Sequence, residues 1–405
     1  MAQQDGCASQ RMDTADIACW AKRLRRQGRL RTTTPTGRVP FSRGAFSAAS
    51  SRDGRPDHAP LLTSSSESAN LDEDEMNLAI LLRTTGVGAI CALAQASPAL
   101  AQNSTTETIV ETMRTLSGKQ STRPSGAKGQ CFAARFTPTA EARQLSKSPA
   151  FSGERAAVVR FSVGSGNAKV SDGTKTVNRG MALRIDPNGP GQSEFVMVNA
   201  PVNFVKSPDQ MLAFLQARLP GADGKPDAAK IKAFTDANPE TTNQGRFLAG
   251  RPVPASWVGV SYWAIHPYTL TNAQGATQIV KFKLSPKGGQ VGLNDEDAKG
   301  KPADFLVDEL KARLAEKRPA GFDVLAILGS AGDAAIPATQ TWPDEETRRS
   351  VKLAELTVTG LAENDICDRE IFDPTRLAEG VAGPTDDPLF AERAPAYAIS
   401  ITQRN

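Results

Sequence analysis

The chain has 405 residues, enough for two average domains or one large β domain with extensions. Hydrophobic residues make up 39% of it, below the usual share of about 45–50%, so we expect a folded core with some unstructured chain attached. The net charge of +4 gives no reason to expect nucleic-acid binding. Two histidines, His58 and His266, and five cysteines without a C-x-x-C pair are too few for a local zinc site.

Residues 1–75 are predicted to be a disordered leader or an upstream extension. They contain a basic stretch at 22–31, a serine run at 64–68 and an acidic run at 71–75. No sustained apolar period accompanies these runs, so the segment has no face to bury in a core. A functional basic arm is the alternative interpretation.

Residues 76–101 are predicted to be a secretory signal peptide. An interrupted apolar stretch follows Met76 and ends in Ala99-Leu100-Ala101, the A-x-A spacing of a cleavage site. The stretch is too short for a membrane span of about 20 residues; the alternative is a buried helix. This predicts a periplasmic or secreted protein with the mature domain at 102–405 and no membrane span in it. Cys131 and Cys367 then remain, either as a disulfide or as free buried thiols.

After residue 132 the sequence alternates between β-type runs and turn clusters. In residues 280–284 apolar and basic side chains alternate strictly, as on a strand with one buried face. The turn residues 271–275 predict a hairpin with the run before them. The predicted strands are 156–163, 181–186, 194–199, 258–265, 278–284, 322–328 and 356–361.

Helices are fewer in the predicted structure. Ser207, Pro208 and Gln210 form a helix-start signal, and apolar residues at helical spacing predict a second helix over 303–317. A third is predicted near 140–145. Many strands, few helices and no βαβ rhythm favour an α+β protein, with an antiparallel β-barrel and helices outside it.

A set of short strings, in this order and at these distances, resembles the catalase-related peroxidases. The resemblance covers about residues 120–404, and several ordered motifs make it more specific than a single one. It implies a catalase-type antiparallel β-barrel with surrounding helices that binds haem, expected to be of the b type. The strings are RPSGAKG from Arg123, FTPTAEA from Phe136, LSKSP from Leu145, VRFS from Val159, NRGMA from Asn178, VNAPVNF from Val198, DDPLF from Asp386 and RAPAY from Arg393.

The resemblance implies a haem-iron ligand at Tyr397. Arg393 precedes it by four residues, the spacing that places two side chains on one helical face. A neighbouring cation favours a deprotonated phenol, which suits tyrosine as an iron ligand. The alternative is a packed tyrosine beside a surface arginine. Arg404, seven residues later, is a candidate for a haem propionate.

On the opposite side of the haem, the resemblance assigns Arg123 and Arg160 to the propionates, where two cations match two carboxylates. Surface charges are the alternative, and the apolar neighbours of Arg160 favour a buried partner. The family pattern retains Ser162, implies a peroxide-binding role for Asn199 and places Phe204 over the porphyrin. For Asn199 a turn-forming role is the alternative.

At one position the chain departs from the family. The motif that normally reads His-Ala-Lys-Gly is Gly126-Ala127-Lys128-Gly129 here. Glycine cannot transfer a proton, and general acid–base help is worth about 10²–10⁴-fold. His266 is interpreted as a barrel-lining or edge residue rather than a substitute, and His58 lies in the leader.

Two functions follow as expectations. The first is a haem peroxidase that reduces hydrogen peroxide or organic peroxides while oxidising a small organic donor. The second is a haem-binding relative with little turnover, because Gly126 occupies the position of the acid–base histidine. No nucleic-acid partner is expected, and the sequence does not indicate an oligomeric state. A barrel that binds no haem is a third alternative, in which the match of Tyr397 to the family's iron ligand would be a coincidence.

Overall fold

The computed structural model describes residues 98–118 and 123–404. The predicted leader at 1–75 and most of the predicted signal peptide at 76–101 lie outside these residues. The strands are β1 (Gly129–Pro138), β2 (Arg155–Val163), β3 (Arg179–Ile185), β4 (Ser193–Val198), β5 (Val253–Pro254), β6 (Tyr262–Trp263), β7 (Tyr268–Thr271), β8 (Thr277–Pro286), β9 (Gly292–Leu293), β10 (Gly321–Leu328), β11 (Ser350–Leu361) and β12 (Val381–Ala382).

The predicted antiparallel barrel is confirmed. Eight strands follow one another in the order β10-β11-β1-β2-β3-β4-β6-β8, and pairing of β8 with β10 closes the barrel. Strands β7 and β12 extend from β8, and the hairpin predicted around residues 271–275 is the β7–β8 pair. Closure leaves no free edge among the eight barrel strands.

Aromatic side chains fill the barrel interior. The rings of Phe161 and Trp257 stack with centroids 5.5 Å apart, and Tyr262 and Phe322 pack around them. Because side chains alternate along a strand, Phe161 points into this core while Arg160 and Ser162 point to the outer face of β2. That outer face is covered, since Arg160 is only 5% exposed.

Helices lie outside the barrel. The predicted cap at Ser207 is confirmed, because its hydroxyl accepts a hydrogen bond from the Gln210 amide at the start of the helix Pro208–Gln216. The helices are α1 (Pro98–Leu116), α2 (Ala142–Leu145), α3 (Pro208–Gln216), α4 (Ala228–Ala237), α5 (Asn243–Ala249), α6 (Asp295–Lys299), α7 (Phe305–Ala315), α8 (Asp365–Asp368), α9 (Pro388–Ala391) and α10 (Arg393–Thr402).

The predicted strand at 258–265 is largely wrong. A short 3₁₀ turn, Trp257–Gly259, occupies its beginning, and only Tyr262–Trp263 pair as β6. The Ser256 hydroxyl caps the turn by accepting the Val258 amide, and the Tyr262 hydroxyl donates to the Trp257 carbonyl. These local hydrogen bonds compete with the sheet.

The first helix and the last helix pack together. In α1, the Thr106 hydroxyl donates to the Glu392 carboxylate, just before α10. Nη1 of Arg114 donates to the Gln403 carbonyl at 2.9 Å. Within the described part of the chain, no helix is both long and apolar enough to cross a membrane.

Of the two alternatives for the cysteines, the structure shows the disulfide. Cys131 in β1 is bonded to Cys367 in α8, across 236 residues of sequence. Both cysteines are buried and pack against Val158 and Phe372. The bond therefore fastens a C-terminal turn to the outside of the barrel.

Candidate active site

Two adjoining cavities lie between the barrel wall and the helices. The helix-side cavity, of about 270 Å³, is lined by α1 and α10, and the barrel-side cavity, of about 250 Å³, is lined by β2, β3 and β4. Their linings are mainly apolar. Both cavities share a set of residues that includes four of the eight predicted site residues: Arg123, Ser125, Asn203, Phe204, Ile265, Arg393 and Tyr397.

Tyr397 and Arg393 stand where the two cavities meet. Nη2 of Arg393 donates to the Tyr397 phenolic oxygen at 2.9 Å, across one turn of α10. Burial alone would lower the pKa of Arg393, but the charge and hydrogen bond of Tyr397 outweigh burial and raise it. The guanidinium is therefore a permanent cation on the phenolic oxygen.

His266 belongs to this group, which the sequence interpretation missed. Its Nε2 lies 3.1 Å from Nη1 of Arg393, and its Nδ1 lies 2.6 Å from Oδ2 of Asp387. Since arginine can only donate, Nε2 must accept and Nδ1 must carry the proton. Burial lowers the pKa of His266, against the opposing effect of the Asp387 hydrogen bond, so the ring is neutral.

Asp387 completes the chain of contacts. Its Oδ1 accepts the Leu389 and Phe390 amides at the start of α9. Burial would raise the pKa of Asp387, but these bonds and that of His266 lower it. The sequence signal was present: an Asp-Pro pair at a helix start, and the one histidine outside the leader. Their separation of 121 residues concealed the contact.

Three arginines form a cluster at one end of the cavities. Arg123 lines both cavities, Arg160 the barrel-side one and Arg404 the helix-side one. Burial and the neighbouring cations lower the pKa of Arg160, and likewise that of Arg404, to about 10. Buried nitrogens of all three lack a hydrogen-bond acceptor: Nε of Arg123, Nε of Arg160, and Nε and Nη1 of Arg404.

Gly126 and Ser162 are neighbours on the wall of the barrel-side cavity. A Cβ atom at Gly126 would lie 3.2 Å from the Ser162 hydroxyl, and the glycine has a φ of 65°, which only glycine and a few polar residues adopt readily. Its carbonyl accepts from Nη1 of Arg160 at 2.9 Å. The loop before β1 is thereby tied to the arginine cluster.

Asn199 does not line either cavity. The side-chain Oδ1 of Asn199 accepts a hydrogen bond from the Arg179 backbone N–H at 2.7 Å. The backbone N–H of Asn199 donates to the Arg179 carbonyl. The neighbouring residue Val198 lines the barrel-side cavity instead. This geometry supports the alternative, structural role of Asn199 and gives no support to a contact with peroxide. Phe204 lines both cavities, in ring contact with Phe214.

The residues present fit a haem. A dianionic, mainly apolar group requires cations with free donors at one edge. Buried nitrogens of Arg123 and Arg404 that lack an acceptor provide the donors, and Arg160 adds a third cation. The phenolic oxygen of Tyr397 is an iron ligand type known for haem, and it stands in the same space. The adjoining cavities together reach the volume range of ligand sites, about 300–1,000 Å³.

Comparison with known proteins finds relatives over most of the chain. The chain is 34% identical to a catalase-related peroxidase of Synechococcus elongatus, over 70% of this chain and 83% of the relative. It is 29% identical to a catalase-related peroxidase of Mycolicibacterium paratuberculosis, over 74% of this chain and 95% of the relative.

Solved structures agree on the fold. A fungal catalase matches with a TM-score of 0.62 and 21% identity, and catalase A of Saccharomyces cerevisiae with 0.62 and 20%, each over 70% of this chain. The chain spans 59% and 61% of the lengths of these two catalases. The family model described as catalase matches residues 94–405. The chain therefore belongs to the catalase family.

Proposed function

We propose that this protein is a haem-dependent peroxidase that reduces hydrogen peroxide or organic peroxides while it oxidises a small organic donor. One observation carries the proposal. The Tyr397 phenolic oxygen, held by Arg393, shares a cavity with Arg123 and Arg404, which have buried nitrogens without a hydrogen-bond acceptor. The relatives named catalase-related peroxidase support the reaction class.

Each group at the site has a defined task. Tyr397 would bind the iron, and Arg393 would hold negative charge on its oxygen. Neutral His266 accepts from Arg393 and so fixes the guanidinium in place. Arg123, Arg160 and Arg404 would bind the two propionates. Haem, when bound, would supply the redox chemistry that cleaves the O–O bond of a peroxide.

The barrel-side cavity offers little acid–base help. None of the described residues that line it has an imidazole or a carboxylate. The Ser162 hydroxyl, next to Gly126, is the group best placed to pass a proton to or from a peroxide oxygen or a water. Because a hydroxyl is a weak acid and base, proton transfer would limit turnover. Asn199 is left out of the proposed site.

A third cavity adjoins the site and could admit an organic substrate. A wider cavity of about 820 Å³, between α1, α3 and α5, shares Ser125, Asn178 and Phe204 with the barrel-side cavity. Met113, Phe214 and Leu248 make its wall largely apolar. This suits an organic peroxide or an organic donor better than it suits a site restricted to hydrogen peroxide.

The second candidate function is haem binding with little or no turnover. The glycine at position 126 favours it, because the position lies on the barrel-side cavity yet brings no proton donor. We further propose haem b as the cofactor and a periplasmic or secreted location, on the sequence pattern at residues 76–101.

An optical spectrum of the purified full chain tests these proposals. The chain is reconstituted with haem, and the Soret region is recorded before and after one equivalent of hydrogen peroxide or of cumene hydroperoxide. A Soret band that changes with peroxide and returns on adding a phenolic donor is the expected result. A band that does not respond to either peroxide would favour the second candidate. No Soret band would overturn both.

A further inference from the structure

The disulfide lies beside the arginine cluster. Cys367 is in a turn at residues 364–370 that contains α8; we call it the anchored turn. Besides the bond to Cys131, the side chain of Asn364 accepts the Cys131 amide at 2.9 Å. Cys131 is also the β-sheet partner of Arg160 in the β1–β2 pair. One buried bond therefore joins the anchored turn to the strands that carry the cluster.

The anchored turn holds the guanidinium of Arg123. Nη2 of Arg123 donates to the Cys367 carbonyl at 2.6 Å and to the Glu370 carbonyl at 3.3 Å. The same nitrogen lies 3.6 Å from Oδ1 of Asp368. These acceptors all belong to the turn. The three acceptors hold Nη2 in place. Nε of the same guanidinium is buried and has no acceptor.

The turn also supplies the negative charge nearest to the cluster. Oδ1 of Asp368 lies 3.4 Å from Nε of Arg160. Burial lowers the pKa of Arg123, Arg160 and Arg404, and the charge of Asp368 opposes that lowering. With Asp368 ionised, the three guanidinium groups retain two uncompensated positive charges. Two carboxylates would balance them.

We propose that Cys131 and Cys367 are positioning residues for the cofactor: their disulfide holds the Cys367 carbonyl and Asp368 against Arg123 and Arg160, so that retention of haem depends on the bond. This inference rests on the proposed haem binding. A cross-link over a long loop removes many conformations of the opened chain. Without it, the anchored turn keeps non-covalent ties alone: the Asn364 hydrogen bond to Cys131, the ion pair of Glu370 with Arg184 and the contacts to the cluster itself.

The test follows haem transfer from the reconstituted full chain to excess apomyoglobin, which reports retention independently of activity. The Cys131→Ala/Cys367→Ala variant is expected to lose haem about tenfold faster than the wild type, as for the loss of a hydrogen bond to a charged group. Leu310→Ala is the matched control. It removes buried side-chain volume in α7 at a position that lines neither cavity. The haem-transfer rate of this variant should stay within twofold of the wild-type rate.

A double-mutant cycle separates positioning from general loosening. In an Arg123→Ala background, removal of both cysteines is expected to accelerate haem loss by clearly less than tenfold, because the turn then holds only Arg160, through Asp368. If the cysteine variant does not fold, the folded wild type is treated with dithiothreitol. The dithiol gives two electrons and two protons to the disulfide and becomes a cyclic disulfide. The same tenfold increase is expected once mass analysis shows two free thiols.

Equal transfer rates with and without the disulfide would overturn the inference and leave the proposed function standing. The inference would also be overturned if removal of the cysteines accelerated haem loss by the same factor with and without Arg123→Ala. The disulfide would then act on the protein as a whole. A wild type that binds no haem would overturn both the inference and the proposed function.

Discussion

The Nε2 atom of His266 lies 3.1 Å from Nη1 of Arg393, and this contact requires an unprotonated nitrogen. A proton on Nε2 would place two donors against each other. Through Arg393, the state of His266 therefore bears on Tyr397, the oxygen that the proposed function assigns to iron.

We expect the stability of the protein to fall in mild acid because of His266. Burial lowers the pKa of His266 in the folded state, whereas the unfolded value is about 6.5. Above that pH the ring is neutral in both states. As the pH falls below it, the unfolded chain takes up a proton that the folded chain resists, and stability falls by up to about 1.4 kcal/mol per pH unit.

Denaturant titrations at pH 7.5 and 5.5 check this expectation. His266→Gln is the comparison, since an amide can accept from Arg393 and donate to Asp387 without titrating. The variant should lose less stability than the wild type over this range. Equal losses in the two proteins would contradict the assignment of a neutral buried imidazole.

We expect Tyr397→Phe to abolish haem loading while the barrel stays folded. The change removes only the phenolic oxygen and leaves Nη2 of Arg393 without that acceptor, which costs about 1 kcal/mol of stability. The matched control is Tyr262→Phe, which removes a hydroxyl from the barrel core that lines neither cavity. The Soret absorbance per protein after reconstitution is the measurement. Full haem content in Tyr397→Phe would refute the ligand assignment.

We expect Arg404→Leu to weaken haem binding by about ten- to a hundredfold, the range for losing a charge-assisted hydrogen bond. Arg404 lines the helix-side cavity and has two buried nitrogens without acceptors. Arg114→Leu is the control, because Arg114 binds the Gln403 carbonyl nearby but lines neither cavity. Titration of each apoprotein with haem gives the affinities; equal weakening by both changes would argue against a propionate contact.

We expect Gly126→His to raise peroxide turnover by about 10²-fold, the lower end of general acid–base help. The left-handed φ of 65° at this position would cost the variant about 1–3 kcal/mol of stability. Gly126→Asn is the control, since asparagine tolerates this backbone and cannot act as the base. Initial rates with both peroxides are the measurement. No gain over Gly126→Asn would mean that the cavity does not place an imidazole for proton transfer.

We expect N-terminal sequencing of the exported protein to give residue 102. Cleavage after Ala101 would remove the first four residues of α1 (Pro98–Leu116) and keep the Thr106 contact with Glu392. The domain would thus keep the contact that fastens α1 to α10. A mature terminus before residue 70 would contradict the signal-peptide prediction.

The sequence predicted what depends on local spacing. The cap at Ser207 and the i, i+4 pair of Arg393 and Tyr397 require only a helix, and the structure contains both contacts. Most barrel strands overlap the predicted β-type runs, but β1 was not predicted. The strand predicted at 258–265 pairs only at Tyr262–Trp263, because side-chain hydrogen bonds of Ser256 and Tyr262 replace sheet pairing there.

What the sequence could not determine depends on orientation or distance. Adjacent residues of a strand face opposite sides, so a shift of one position decides whether Val198 or Asn199 meets the cavity. The contact of His266 with Asp387 and the pairing of Cys131 with Cys367 span 121 and 236 residues. No local pattern encodes such pairs.

The packing of α1 against α10 has a consequence for biosynthesis. Thr106 meets Glu392 across 286 residues, and Arg114 meets Gln403 across 289. A ribosome makes all the barrel strands, which end at Leu361, before it adds Tyr397 and Arg404, so the cavities gain the proposed iron ligand and the last arginine of the cluster only after the barrel strands have been made. The proposed function therefore requires that haem be acquired after Tyr397 has been made, and a nonsense codon shortly before Tyr397 would leave every barrel strand in place without the proposed ligand.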